Sequence, residues 1–253
     1  MNWSHTEVIS MYGWRGRIGL ILASTNAVTE GEANKMAPEG VSVHFTRISY
    51  RGEGDEADDI RLRKELEAAA GLLAGSSYNL GVDVVGLMHG SASSDPRPGF
   101  DQTLNERMYK ATGVPSITQS SAVIQALRKL SIKRVSTGIP LGEMSTLMRI
   151  KAFLEANGFE VRHQGTLGIK DHHLVCSQPP EASYKFIKSL DRDDVDAIVM
   201  NNANLRTLEI IEPLERDLGK PIITGNQALM WACIRKLGIH DPIPGLGKIF
   251  MIQ

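Results

Sequence analysis

Two apolar runs in this chain break off in the same way. Val82-Asp83 leads into Val84–Met88 and stops at His89, Gly90, Ser91, Ala92 and Ser93. Val195-Asp196 leads into Ala197–Met200 and stops at Asn201, Asn202, Ala203 and Asn204. A short apolar run that ends in small and polar residues reads as a strand buried on both faces, its carboxyl end opening into a polar pocket. Laid over each other from the Val-Asp pair, the runs set His89 opposite Asn202. A second pair repeats beside the first. Gly113-x-Pro-x-Ile-Thr118 and Ala126-Leu-Arg-Lys-Leu130 return as Gly219-x-Pro-x-Ile-Thr224 and Cys233-Ile-Arg-Lys-Leu237. Such repetition calls for two related α/β halves. Strands alternating with helices imply parallel sheets, and ligands of such sheets sit beyond the carboxyl ends of the strands. The two halves are expected to share one cleft, floored by His89 and Asn202.

Along the chain the same alternation assigns the elements. Strands are expected at 17–23, 41–48, 113–118, 134–138, 159–165 and 219–224. Helices are expected at 60–73, 100–112, 121–130, 145–157, 180–190, 205–218 and 227–237, from their apolar spacing. Residues 29–33 suggest a loop with helix-capping residues, 51–59 a Gly-rich acidic mobile loop, and 96–99 a Pro-rich loop. The expected domain division is an N-terminal arm (1–16), a first half (17–118 with 225–253) and a second half (119–224).

A chain of 253 residues can bury a substantial core. Its formal net charge of −1, with Lys and Arg scattered, gives no footing for nucleic acid or an anionic membrane. No apolar run approaches the ~20 residues of a membrane helix, and residues 1–12 make a poor signal peptide. Two cysteines, Cys176 and Cys233, form no disulfide framework, which favours a cytoplasmic protein with reduced thiols. No metal site is expected, since no carboxylate or cysteine is spaced to join His89, His172 and His173.

Several stretches resemble the aspartate/glutamate racemase superfamily, in its maleate isomerase and arylmalonate decarboxylase branch. They are Arg17-Ile-Gly-Leu-Ile21, Ser24-Thr-Asn26, Met36-Ala-Pro-Glu-Gly-Val41, the loop Gly86 to Ser93, and Asn202-Ala-Asn-Leu-Arg-Thr-Leu-Glu209. The resemblance implies an α/β fold of two pseudo-symmetric Rossmann-like halves, each a mainly parallel sheet flanked by helices, with a cofactor-independent site in the cleft between them. It also implies a small carboxylate or dicarboxylate as substrate and a homo-oligomer as assembly. The resemblance implies one cysteine in each of these two loops for racemases and maleate isomerases, and only the second for the decarboxylase; here the first position is His89 and the second is Asn202. A tyrosine common after the Arg134 strand is absent from residues 135–149, and His172 stands where an asparagine is usual.

The remaining chemistry is one-sided. Histidine titrates near neutrality and can carry a proton; asparagine cannot, but it can orient a carboxylate or enediolate with two N–H donors. His89 and Asn202 are therefore the expected catalytic pair. Asn26, carried over from the resemblance, and Thr25, Gly90, Ser91, Ser93, Ala203, Asn204 and His172 are expected to hold the substrate. Local roles compete with this reading: His89 as a cap, Asn202 as a left-handed turn residue, Ser91 and Ser93 as helix N-caps. The leading expectation is a decarboxylase- or maleate isomerase-like enzyme working through an enediolate. The alternative is a non-catalytic family member that binds a small carboxylate as a sensor or accessory subunit.

Overall fold

The computed structural model describes residues 12–49, 56–75 and 81–252. The first half contains strands β1 (Gly16–Ala23), β2 (Val41–Ile48), β3 (Val84–Met88) and β4 (Ser116–Thr118). Its helices are α1 (Thr29–Met36), α2 (Glu56–Leu73), the single turn α3 (Gly90–Ser93) and α4 (Phe100–Thr112). Then follow α5 (Gln119–Lys129), β5 (Arg134–Leu141), α6 (Met144–Ala156), β6 (Glu160–Ile169), α7 (Pro180–Ser189) and β7 (Ala197–Met200). The chain closes with α8 (Ile211–Leu218), β8 (Ile222–Thr224), α9 (Gly225–Lys236) and α10 (Lys248–Met251). The strands form two four-stranded sheets in the orders β2-β1-β3-β4 and β6-β5-β7-β8. Every pairing is parallel. The two orders are the same order twice, as the repeat requires.

The Val-Asp pairs explain how each sheet begins. Asp83 Oδ2 accepts the Arg17 backbone N–H at 2.8 Å and the Arg17 Nε at 3.3 Å. Asp196 Oδ2 accepts the Arg134 backbone N–H at 2.8 Å, and its Oδ1 accepts the Arg134 guanidinium at 2.7 Å. In each half an aspartate before the central strand fixes the start of its neighbour. The Arg134 side chain and backbone hold the Asp196 carboxyl down to about 2.

Several boundaries differ from the sequence expectations, each for a local reason. Residues 29–33 are helix rather than loop, and residues 56–59 belong to α2; residues 51–55 and 1–11 lie outside the described residues. Strands β4 and β8 are only three residues each, because Gly113 and Gly219, at φ +72° and +70°, cap the preceding helices in the left-handed region. Thr118 and Thr224 are the N-caps of α5 and α9, accepting the Ser121 and Gln227 amides, so both helices start two residues earlier than expected. The expected helix at 205–218 exists only from Ile211, after a 3-10 turn at Leu208–Ile210. Its first amides are taken instead by side chains: Asn202 Oδ1 accepts from Asn204 and Leu205, and Glu32 Oε1 accepts from Thr207 and Leu208.

One hydrophobic core runs from β1 and β3 of the first sheet through α5 and α9 to the whole second sheet. A smaller core packs the other face of the first sheet against α2 and α4. Ten of the twelve residues of α9 are buried, since it lies against α5, α1 and β3 at once. Trp14 docks on Gly40, where a Cβ would fall 2.6 Å from the indole and the φ of +81° disfavours any other residue. Among the described residues no helix is long and apolar enough to cross a membrane.

Candidate functional site

A cleft of about 1060 Å³ opens at the carboxyl ends of β1, β3, β5 and β7. Both halves line it. The first contributes Ser24, Thr25, Asn26, His89, Gly90 and Ser91; the second contributes Glu143, Thr146, Arg149, His172, Asn202, Ala203 and Asn204. Of the sequence-expected residues, only Ser93 is absent from the lining. It is fully buried behind the cleft, donating to the His89 carbonyl and bonding Ser120.

His89 is the N-cap of α3. Its Nδ1 accepts the Ala92 amide at 3.4 Å and stands 3.2 Å from the Ser91 hydroxyl. Ser91 and Ser93 are therefore not the caps; the histidine itself is. While the backbone N–H of Ala92 occupies Nδ1, the proton of the neutral ring rests on Nε2.

On the other side the chain turns sharply, with the Asn202 amide bonded to the Met200 carbonyl at 2.8 Å. Ser131 is the one non-glycine residue with positive φ among those described, so Asn202 does not turn through the left-handed region. Its Oδ1 is filled by the Asn204 and Leu205 amides at 2.9 Å each, while Nδ2 makes no hydrogen bond among the described residues. Asn202 thus presents donors and no acceptor. Asn26 has used its capacity: Oδ1 accepts from Val28 and Thr29, and Nδ2 donates to the Thr29 hydroxyl and the Ala203 carbonyl. Asn204 bridges the halves as well, accepting the Ala27 amide at 2.9 Å and donating to the Thr25 carbonyl at 3.3 Å. Asn26 and Asn204 hold the cleft's two walls together.

Sequence reasoning missed a buried polar seam beneath the cleft. Asn201 donates to Ser94 and Ser120 at 2.8 and 2.9 Å and accepts from Gln119 at 2.8 Å. A Cβ on Gly90 would fall 2.5 Å from the Asn201 carbonyl oxygen, and one on Gly225 would fall 2.0 Å from Gln119 Nε2. The loops bearing His89 and Asn202 therefore abut. At the other end of the seam, buried Glu32 accepts from Thr207, Leu208 and Asn226 at 2.7, 2.9 and 2.7 Å. Burial raises its carboxyl above the usual carboxylate range despite these bonds. Thr29 and Asn226 complete the set by binding each other at 3.1 Å.

The charged lining comes from the second half and was also missed, because it lies on a helix face. Ser145, Thr146, Arg149 and Ile150 of α6 line the cleft together. Glu143, just before α6, sits 3.0 Å from His172 Nε2. Among the described residues no cysteine lines the cleft. Cys233 is wholly buried, its thiol pushed up to about 12; Cys176 is part-exposed and bonds the His173 carbonyl. Among the described residues no group of three His, Cys, Asp or Glu side chains is placed to hold a metal ion.

Residues 18–250 match the family described as arylmalonate decarboxylase. The chain belongs to the arylmalonate decarboxylase family. An arylmalonate decarboxylase from Bordetella bronchiseptica is 29% identical over 173 residues, covering 67% of this chain and 72% of that protein. A maleate isomerase from Pseudomonas putida is 23% identical over 241 residues, covering 92% of this chain and 96% of its own length. The solved structure of maleate isomerase Iso from Pseudomonas putida with maleate superposes with a TM-score of 0.83 at 26% identity, covering 93% and 97% of the two chains. Two parallel sheets flanked by helices are thus the arrangement shared across the arylmalonate decarboxylase family and this chain.

Proposed function

We propose that this protein is a cofactor-independent lyase or isomerase, acting on a small carboxylate or dicarboxylate through an enediolate, with His89 as its proton carrier. The observation that carries the reading is the placement of His89 and Asn202 at equivalent strand ends on one cleft. The resemblance implies a cysteine at both positions in maleate isomerases, and at the Asn202 position alone in the decarboxylase. The relatives are named as an arylmalonate decarboxylase and maleate isomerases; in this reading the reaction moves charge onto a carboxylate beside the reacting carbon. In the decarboxylation form, the C–CO2 bond breaks, its electron pair spreads into the remaining carboxylate, and a proton then adds to carbon. Asn202 Nδ2 supplies donors where that charge develops, and preorganised donors of this kind dominate the rate enhancement in many such sites. The amides of Gly90 and Ser91, at the start of α3, have no acceptor within the helix and add to the same field.

His89 must change its tautomer to work. Acting as an acid from Nε2 needs the imidazolium, and acting as a base at Nε2 needs the proton on Nδ1. Either way Nδ1 carries a proton, the Ala92 contact is given up, and the Ser91 hydroxyl turns from donor to acceptor. Ser91 is in this reading the residue that lets His89 switch. We further propose that the protein is a cytoplasmic homo-oligomer whose two halves divide as the sequence repeat divides them.

Thermal-shift screening with malonates, maleate, fumarate and aspartate, followed by turnover assays on each ligand that binds, tests the proposal. Turnover that disappears in His89→Ala, with the folded state retained and no more than the small stability loss of a missing helix cap, supports it. Binding without turnover in the wild type assigns the protein to the non-catalytic class, which the absence of cysteine from the cleft lining favours.

A further inference from the structure

Arg149 is a cation in the lining of the cleft, without a hydrogen-bond or salt-bridge partner among the described residues. There its guanidinium donates no hydrogen bond and forms no salt bridge, and its Nε is shielded from solvent without an acceptor. The nearby carboxylates are committed elsewhere. Glu143 faces His172 at 3.0 Å and accepts the Thr146 hydroxyl at 3.1 Å. Asp95, near enough to feel the charge of Arg149, is held by Arg97 through Nε at 2.9 Å and the terminal nitrogen at 2.7 Å. An arginine N–H kept from water and left unmatched is a standing cost in the free protein. The planar fork of guanidinium donors fits a carboxylate through two parallel bonds.

We infer that Arg149 binds a second carboxylate of the substrate, and that it makes the cleft selective for dicarboxylates over monocarboxylates. The first carboxylate lies at the His89–Asn202 floor, and the second reaches the wall formed by α6, where Thr146 and Ser145 flank the arginine. This inference rests on the reading of the cleft as a small-carboxylate site, and on nothing about its chemistry. Asn26 and Asn204 are tied into the seam, so the selectivity falls to Arg149, a cation the seam does not use.

The test uses succinate and butyrate, saturated acids of equal chain length that differ by one carboxylate. Calorimetric titration of the purified full chain should show succinate binding tighter than butyrate by about tenfold or more, the worth of a charge-assisted hydrogen bond. In R149M that preference should fall to near one with butyrate affinity unchanged, and R149K should be intermediate. Equal succinate-to-butyrate ratios in wild type and R149M would overturn the inference, as would a wild type that binds neither acid or shows no preference. A lowered melting temperature in R149M with the ratio retained would assign Arg149 to Asp95 and equally overturn it. Absence of turnover in the wild type, with this selectivity intact, removes the proposed reaction and leaves Arg149 in place.

Discussion

The two ends of the paired sheets have diverged to different degrees. At the amino ends the halves are near copies: Arg17 and Arg134 each give a backbone amide at 2.8 Å and a guanidinium to one aspartate, Asp83 or Asp196. At the carboxyl ends they share positions and little else. One strand runs into a histidine that caps a single helical turn, the other into two asparagines, of which Asn202 spends its acceptor on backbone amides. The lining differs too, hydroxyl-rich on the first half and charged on the second. The symmetric end fixes strand starts, where any departure costs the sheet. The asymmetric end is free of that duty, so chemistry can differ between faces there.

Four expectations probe that contrast, beginning with the deepest effect. His89→Ala should lower kcat/KM by ~10²–10⁴, the usual worth of a positioned proton carrier, with only the ~1 kcal/mol loss of stability that removing a helix cap brings; wild-type turnover in the variant would end the one-sided assignment. Glu32→Ala should destabilise the fold by ~2–4 kcal/mol in urea titration, since it strands the Thr207, Leu208 and Asn226 donors in the seam. Burial raises the folded carboxyl of Glu32. Its protonation therefore adds stability that is full below its unfolded value and lost as pH rises through the folded one; Glu32→Gln should flatten that slope. Ser91→Ala should cost about tenfold in kcat, roughly one charge-assisted hydrogen bond. The loss should fall on kcat and leave KM in place, a split that a purely structural serine would not give. Asp83→Asn and Asp196→Asn should give the smallest effects, similar in size, as small drops in unfolding midpoint near pH 7. Asp196, held at about 2 against an ordinary 3.8, contributes stability above pH ~4 that fades as pH falls toward 2. The difference between wild type and Asp196→Asn should close over that window.

Much of the fold was legible because it is written twice. The Val-Asp runs and the Gly-x-Pro-x-Ile-Thr runs marked β3, β7, β4 and β8, and the structure pairs them as equivalents. The two strand ends, and their meeting at one cleft, could be read from the same stretches. What escaped was anything set by contacts between distant residues. Leu205–Leu218 has helical spacing throughout, yet Glu32, some 175 residues earlier, claims the amides of Thr207 and Leu208 and delays the helix. Asn26 is of a type that suits a substrate contact; four protein hydrogen bonds consume it. Arg149 sits on a helix flank between exposed Met148 and buried Ile150, where a linear pattern predicts an ordinary solvated cation. Only the placement of α6 at the mouth of the second sheet gives it a cavity to face.

The bonds that span the cleft also bear on how the molecule comes together in time. Asn26 to Ala203 and Asn204 to Ala27 each join residues 177 apart in sequence. Each half can gain its parallel sheet from shorter closures, but the cleft exists only once these distant loops have met, and long closures carry the greater entropic toll. Hydrogen exchange is therefore expected to find the cleft loops opening at lower free energy than the sheets beneath them. A carboxylate that bridges the two loops would bind the finished molecule alone, and would stabilise the whole chain through long-range contacts.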